Sequence, residues 1–124
     1  MTKRDLSAKP TLLTLRNKLR RFASDRDWDK FHSPKNLSMA LIVEAAELVE
    51  HFQWLSIAES NHIEKDAKNK IEEELADILL YLVRLADKLN VDLLGAASRK
   101  IELNGIKYPA GKVRGSAKKY SEYK

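Results

Sequence analysis

Two pairs of carboxylates stand out because each is spaced by three residues within an apolar, helix-like segment. Glu44 and Glu47 lie in SMALIVEAAELVEHFQW, and Glu74 and Asp77 lie in KIEEELADILLYLVRLA. Three residues are about 300° of helical turn, so the two members of a pair project from one helix face. That face also carries apolar side chains and a tyrosine at helical spacing: Leu37, Leu41, Leu48, Ile71, Ile78 and Tyr81.

Four carboxylates on apolar helix faces require a compensating positive charge, since a buried unpaired carboxylate costs roughly several kcal/mol. One such pair is common on a solvated helix, but two pairs in register with apolar stripes favour convergence between two helices. Ligands that are all oxygen suit a hard cation. The pattern therefore predicts a Mg²⁺ site, with Mn²⁺ as the alternative, formed by Glu44, Glu47, Glu74 and Asp77.

Other phosphate and metal chemistries fit the sequence less well. A di-iron or metal-storage bundle needs Glu-x-x-His pairs, but Glu50 follows Glu47 at three and His51 only at four. No P-loop is present, because the segments around Gly105, Gly111 and Gly115 lack the Gly-Lys-Ser/Thr ending. Carboxylate-bound Mg²⁺ usually takes further ligands from substrate phosphates. If the protein binds phosphates, metal and basic side chains must hold them.

Four helical segments must position these residues. The first begins after Thr11, a predicted N-cap, and the second begins at Ser33-Pro34 and runs to about residue 58. The third covers about 63–90, and the fourth covers 93–103 before a stop at Gly105. No segment alternates with a period of two. We therefore predict an all-α, four-helix-bundle-type subunit with a basic C-terminal arm.

Composition favours one soluble globular domain. The chain has 124 residues, of which 44% are hydrophobic and 33% charged, and no cysteine, which excludes disulfides and cysteine-based sites. We predict a flexible N-terminus over 1–10, a helical domain over 11–109 and a basic tail over 110–124. The N-terminus has no apolar core typical of a signal peptide, and no apolar run could span a membrane. The expected location is the cytoplasm.

The net charge of +5 comes from the C-terminal end. Residues 107–124 hold six basic residues and one acidic residue, so the rest of the chain is balanced. Such a tail could contact nucleic acid, close over the phosphates of a nucleotide, or remain solvated.

Several motifs, in order and at the right spacing, resemble a known family. They are RDWDKFHSPKNL, the EAAE helix that ends in FQW, the EELADILLYL helix, and the K-x-x-x-N-x-x-x-Y-P segment. Together they cover most of the chain, from about residue 12 to 120. The chain resembles the all-α nucleoside triphosphate pyrophosphohydrolases, in the MazG-like branch near the dCTP pyrophosphatases. This resemblance implies hydrolysis of a nucleoside triphosphate to the monophosphate and pyrophosphate, in a homotetramer or dimer.

The resemblance also assigns roles to individual residues. Its metal ligands fall on the four carboxylates already identified, and Lys100 matches a motif that serves phosphates or sugar. For the reaction itself we suggest Glu47 as the proton acceptor and Lys100 as the group that balances charge on the phosphates. Positions that match nucleotide contacts in similar proteins are Trp28, Asp29, Lys30, Phe31, His32, Trp54, Tyr81, Asn104 and Tyr108. One departure concerns Leu19, which stands where close animal relatives carry a histidine. This change leaves the base preference open and does not affect the metal chemistry.

Three functional hypotheses follow. The leading one is a Mg²⁺-dependent dNTP pyrophosphohydrolase that favours dCTP or a modified dCTP and removes non-standard nucleotides from the pool. The second is a broad-specificity NTP pyrophosphatase of the MazG type. The third is a helical binding module that uses the basic tail, with salt-sensitive binding to a partner. The four carboxylates argue against the third hypothesis and make nucleic acid an unfavoured partner.

Overall fold

The computed structural model describes residues 9–123, and within them every regular element is helical. The α-helices are α1 (Leu12–Asp25), α2 (Pro34–Glu50), α3 (Ile57–Ser60), α4 (Lys65–Lys88), α5 (Leu93–Lys107) and α6 (Ala110–Val113). Short 3-10 helices lie at Asp29–Phe31 and Tyr120–Glu122. The all-α prediction is confirmed. The predicted flexible N-terminus falls mostly on residues 1–8, which lie outside the described residues.

The described chain divides into two compact units, the first ending at Asn90 and the second beginning at Val91. In the first unit, α4 packs along both α2 and α1. Its core holds a few small and branched side chains: Ala23, Leu37, Ile71, Val83 and Ala86. The second unit contains α5, α6 and the C-terminal 3-10 helix. No helix within residues 9–123 is long and apolar enough to cross a membrane.

The predicted starts of α1 and α2 are confirmed by their caps. The Thr11 hydroxyl accepts a hydrogen bond from the backbone N–H of Thr14, and the Thr14 hydroxyl accepts one from the Thr11 N–H. The Ser33 hydroxyl accepts from the Asn36 N–H, with Pro34 in the first turn. These side chains satisfy N–H groups that have no partner within the helix.

Two predicted helix ends were wrong. α2 ends at Glu50 rather than near residue 58, because Ser56 and Glu59 form a capping box that begins the separate helix α3. α5 continues through Gly105 to Lys107, because Gly105 does not adopt the positive φ that would end a helix there. The stop comes instead at Tyr108, which precedes Pro109 and leaves the helical region, at φ −123° and ψ 72°.

Candidate metal and nucleotide site

Three of the four predicted metal ligands come together between α2 and α4. One carboxylate oxygen from each of Glu44, Glu74 and Asp77 lies within 4.8 Å of the others. Glu44 is on α2, while Glu74 and Asp77 are one turn apart on α4, so the packing of these two helices forms the cluster. The spacing of three residues places both α4 carboxylates on the face that meets α2.

The chemistry of this cluster fits a cation. The Oε2 atoms of Glu44 and Glu74 are buried and have no hydrogen-bond partner among the described residues. Burial, together with the adjacent carboxyl groups of Glu47, Asp77 and Glu74, raises the pKa of Glu44 to about 7. Buried carboxylate oxygens without donors are costly unless a positive charge is bound. The residues present therefore suit a divalent ion with oxygen ligands.

The fourth predicted ligand, Glu47, lies beside this group of three. Its side chain contacts Glu44 and contributes to the raised pKa of Glu44. Glu47 is not one of the three residues whose carboxylate oxygens lie within 4.8 Å of one another. His51, at the end of α2, places its Nε2 3.8 Å from Oε1 of Glu74. The roles of Glu47 as metal ligand and proton acceptor stay predictions.

We predict that Glu44 makes the metal-free protein less stable as the pH rises towards neutrality. Its pKa is about 7 in the folded chain against 4.5 as the ordinary value, so the folded state holds an extra proton between these values. Stability from this group is present at low pH and is lost as the pH rises through the folded pKa. Because a bound cation favours the ionised carboxylates, added Mg²⁺ should stabilise the protein most at the higher pH.

Thermal melting between about pH 5 and 8, with and without Mg²⁺, checks this prediction. The Tm of the native protein should fall with pH when Mg²⁺ is absent and recover when it is added. Glu44→Gln should show a flatter dependence, and the difference between the two proteins isolates Glu44 from other titrating groups. Equal pH slopes in both proteins would contradict the assignment.

A cavity of about 390 Å³ lies between α1, α2, α4 and the segment after α1. Asp77 of the carboxylate cluster lines it, so the cavity adjoins the candidate metal site. Most of the other lining groups are apolar or aromatic: Leu15, Leu19, Phe22, Trp28, Leu37, Leu80 and Tyr81. Polar character comes from Lys18, His32, Asp77 and Arg84. A mainly apolar pocket with a few polar groups is typical of a small-molecule site.

Two residues of the segment Trp28–His32 line the cavity, and the others make contacts elsewhere. Trp28 and His32 line it, with Trp28 edge-on to Phe22 and His32 at ring-centroid distances of 5.7 and 6.3 Å. Asp29 instead directs its carboxylate to Arg84 and Lys88. Lys30 pairs with Asp27 at 2.9 Å, and its ammonium lies 5.3 Å from the ring centre of the exposed Phe31.

Of the other predicted substrate contacts, Tyr81 lines the cavity, and the rest are not among its lining residues in the described part of the chain. Trp54 follows α2 in a turn and is 87% exposed, whereas Tyr81 lines the cavity. Lys100 and Asn104 lie on α5, and Tyr108 ends it. Tyr108 packs edge-on against Tyr120 and Tyr123, with centroid distances of 5.9 and 6.1 Å. The assignments of these residues to substrate stay predictions.

The sequence interpretation missed Arg84, which lines the cavity and is 5% exposed. It lies on α4 seven residues after Asp77 and three after Tyr81, so these residues share one side of the helix. A detectable signal existed, since Arg84 is the lone charge within the run ILLYLVRLA. A charge inside an apolar stripe indicates a buried polar contact.

Comparisons with known proteins identify the family of this chain. The MazG-like family model matches residues 39–123. Over 118 residues, the chain is 44% identical to dCTP pyrophosphatase 1 of Rattus norvegicus and 42% identical to that of Homo sapiens. Each match covers 94% of this chain and 69% of the relative.

A solved structure is also similar. The crystal structure of a pyrophosphatase from Archaeoglobus fulgidus is 40% identical and superposes with a TM-score of 0.76. That match covers 82% of this chain and 95% of the archaeal chain. Because the family model matches residues 39–123 and the identity to the rat relative is 44% over 94% of this chain, the chain belongs to the MazG-like family.

Proposed function

We propose that this protein is a divalent-metal-dependent nucleoside triphosphate pyrophosphohydrolase that converts dCTP, or a modified dCTP, to the monophosphate and pyrophosphate. The observation that carries the proposal is the cluster of Glu44, Glu74 and Asp77 beside a largely apolar cavity. Two of these residues have buried oxygens that no described residue satisfies. The similarity to proteins named dCTP pyrophosphatase 1 supports the choice of substrate.

We propose Mg²⁺ as the metal, with Mn²⁺ as the alternative. Glu44, Glu74 and Asp77 would hold it, with Glu47 completing the set from beside Glu44. When bound, such a cation supplies charge neutralisation for the triphosphate oxygens and orients the reacting groups. Carboxylate ligands leave coordination positions open for phosphate, as Mg²⁺ sites usually do.

In the proposed complex, one set of side chains lies at the triphosphate of the substrate and another set lies at its base. Asp77 belongs both to the carboxylate cluster and to the cavity wall, so a triphosphate at the cluster leads directly into the cavity. Trp28 and Tyr81 provide aromatic surface there for a base to contact. Glu47 is our candidate to accept the proton of the attacking water, and Lys100 to balance charge on the phosphates.

We also propose that the active form is an oligomer, a homotetramer or dimer. On α2, Met39, Ile42, Val43 and Val49 form an apolar face on which every side chain is more than half exposed. Leu75 on α4 is also 51% exposed. Contiguous apolar faces of this kind are characteristic of protein–protein interfaces.

Steady-state kinetics on a panel of dNTPs tests the proposed substrate. With Mg²⁺, we expect kcat/KM for dCTP and 5-methyl-dCTP to exceed the values for dATP, dGTP and dTTP by at least about tenfold, the discrimination that a few pocket contacts provide. Equal values for all substrates would indicate the broad MazG-type activity instead. A folded protein that hydrolyses none of them would overturn the proposal and favour a helical binding module.

A further inference from the structure

Arg84 is the one charged side chain that is buried within residues 9–123. Burial of a guanidinium in an apolar helix interface costs desolvation free energy unless each of its nitrogens has a hydrogen-bond or ion-pair partner. Arg84 is not part of the carboxylate cluster. Its place in the cavity wall therefore calls for a separate explanation.

The Arg84 guanidinium joins two elements. Its Nε–H donates to Nδ1 of His32 at 3.2 Å, and one terminal nitrogen donates to the Asp29 carboxylate. The other terminal nitrogen lies 3.5 Å from Oδ2 of Asp87. Both carboxylates also have a second cation, Lys88 at 3.3 Å from Asp29 and Arg20 at 2.6 Å from Asp87. Lys88 and Arg20 can therefore still pair with the two carboxylates when Arg84 is replaced. Among the described residues, only Arg84 donates a hydrogen bond to Nδ1 of His32.

This contact fixes how His32 carries its proton. Burial and the nearby charge of Arg84 lower the pKa of His32, so the imidazole is neutral at pH 7. Because Nδ1 accepts a hydrogen bond from Arg84, the single ring proton must be on Nε2. Nε2 has no hydrogen-bond partner among the described residues and is not sealed from solvent. His32 thus brings one free donor to the cavity that it lines.

The distance from the metal cluster matches the length of a nucleotide. Asp77 and Arg84 are seven residues apart on α4, which is about 10 Å along the helix axis. A base attached to a triphosphate at the cluster would reach this part of the cavity. Leu19, also in the cavity wall, offers no polar group for base recognition. His32 and Arg84, with Lys18 as the third basic residue of the wall, are therefore the groups available there to distinguish one base from another.

We propose that Arg84 is a positioning residue that holds His32 in the Nε2–H tautomer, so that His32 donates a hydrogen bond to N3 of a cytosine base. Cytosine N3 is a hydrogen-bond acceptor, whereas thymine N3 carries an N–H donor. Both bases have an acceptor at O2, so the selectivity depends on the contact to N3. A fixed donor at His32 consequently favours dCTP over dTTP. The inference rests on the proposed function and adds the residue pair that selects the base.

Arg84→Met tests the inference, because it removes the donor to His32 while Lys88 and Arg20 keep Asp29 and Asp87 paired. We expect the ratio of kcat/KM for dCTP to that for dTTP to fall about tenfold, mainly through KM for dCTP. Arg84→Lys, which retains the positive charge, is the second variant should Arg84→Met fail to fold. Arg20→Met is the matched control, since it removes a guanidinium from the same network without touching His32, and it should leave the ratio unchanged.

The tautomer of His32 is measured separately by ¹⁵N NMR of the imidazole in the protein without substrate. The native protein and Arg20→Met should show the Nε2–H form, and the Arg84 variants should show a mixture of both tautomers. In the double variant with His32→Ala, replacing Arg84 should change the dCTP/dTTP ratio no further, because Arg84 acts through His32.

Three results would overturn the inference. The first is an unchanged dCTP/dTTP ratio and tautomer in the Arg84 variants, and the second is a further loss of selectivity in the double variant. The third is an equal fall in kcat for every dNTP, which would indicate a structural role only. If the native protein hydrolyses dCTP and one of these results appears, the proposed function stands and the inference alone fails. If the native protein hydrolyses no dNTP, both fail.

Discussion

Replacement of Glu74 by Gln should lower kcat for dCTP hydrolysis in the presence of Mg²⁺ by at least about 100-fold, as expected when a metal site loses one charged ligand. Glu74 lies in the three-carboxylate cluster, and its buried Oε2 has no other partner among the described residues. The substitution keeps the shape of the side chain and removes only its charge. The expected loss therefore reports on cation binding and not on packing.

Glu73→Gln is the control for this experiment. Glu73 is the preceding residue on α4, is exposed, and loses the same charge on substitution. Its activity should stay within about twofold of native, because surface substitutions away from a site have small effects. Mg²⁺ should raise the Tm of the native protein and Glu73→Gln, but not of Glu74→Gln. If the two variants were equally active, the carboxylate cluster would not be the catalytic metal site.

The thermal stability of the protein should depend strongly on its concentration, because the apolar face of α2 is expected to be covered by another subunit. For a dimer that unfolds to free chains, each tenfold rise in concentration adds about 1.4 kcal/mol of stability. The face contains Met39, Ile42, Val43 and Val49, and Ile42 alone is 65% exposed. The core of the described chain is small in comparison, because only five hydrophobic side chains are buried there. Such a small core favours folding that is coupled to association.

Ile42→Glu tests the role of this face, because a charge in an apolar interface must be desolvated without a partner. We expect the variant to dissociate, with a lower Tm that no longer rises with concentration, as followed by light scattering and melting at several concentrations. Asn17→Glu adds the same charge to an exposed position of α1 and should behave like the native protein. A native mass equal to the single chain of 14.2 kDa at all concentrations would contradict the oligomer.

The local part of the fold was predictable because its signals are local. Thr11 and Ser33 cap helices through hydrogen bonds to residues three positions later, and such contacts can be inferred from the sequence. The same principle explains the two errors. Ser56 is also a capping residue, but its effect is hidden inside an apolar run, and Gly105 can occupy a helix as well as end one.

Helix periodicity predicts which residues of the candidate site share a helix face, but it predicts nothing more about the site. A spacing of three residues shows that Glu74 and Asp77 share a face, but it does not show which residue of another helix meets them. Packing of α2 on α4 places Glu44 in the cluster and Glu47 beside it. The pairing of Arg84 with Asp29 and His32 spans more than fifty residues of sequence and depends on tertiary packing.

Phosphorus-31 NMR of the products formed from dCTP, Mg²⁺ and the purified protein tests the central claim most directly. The proposed reaction predicts dCMP and inorganic pyrophosphate in equal amounts, with no dCDP and no orthophosphate. It also predicts that Glu74→Gln forms these products at least about 100-fold more slowly under the same conditions. Formation of dCDP and orthophosphate, or unchanged product formation by Glu74→Gln, would contradict a pyrophosphohydrolase built on this carboxylate cluster.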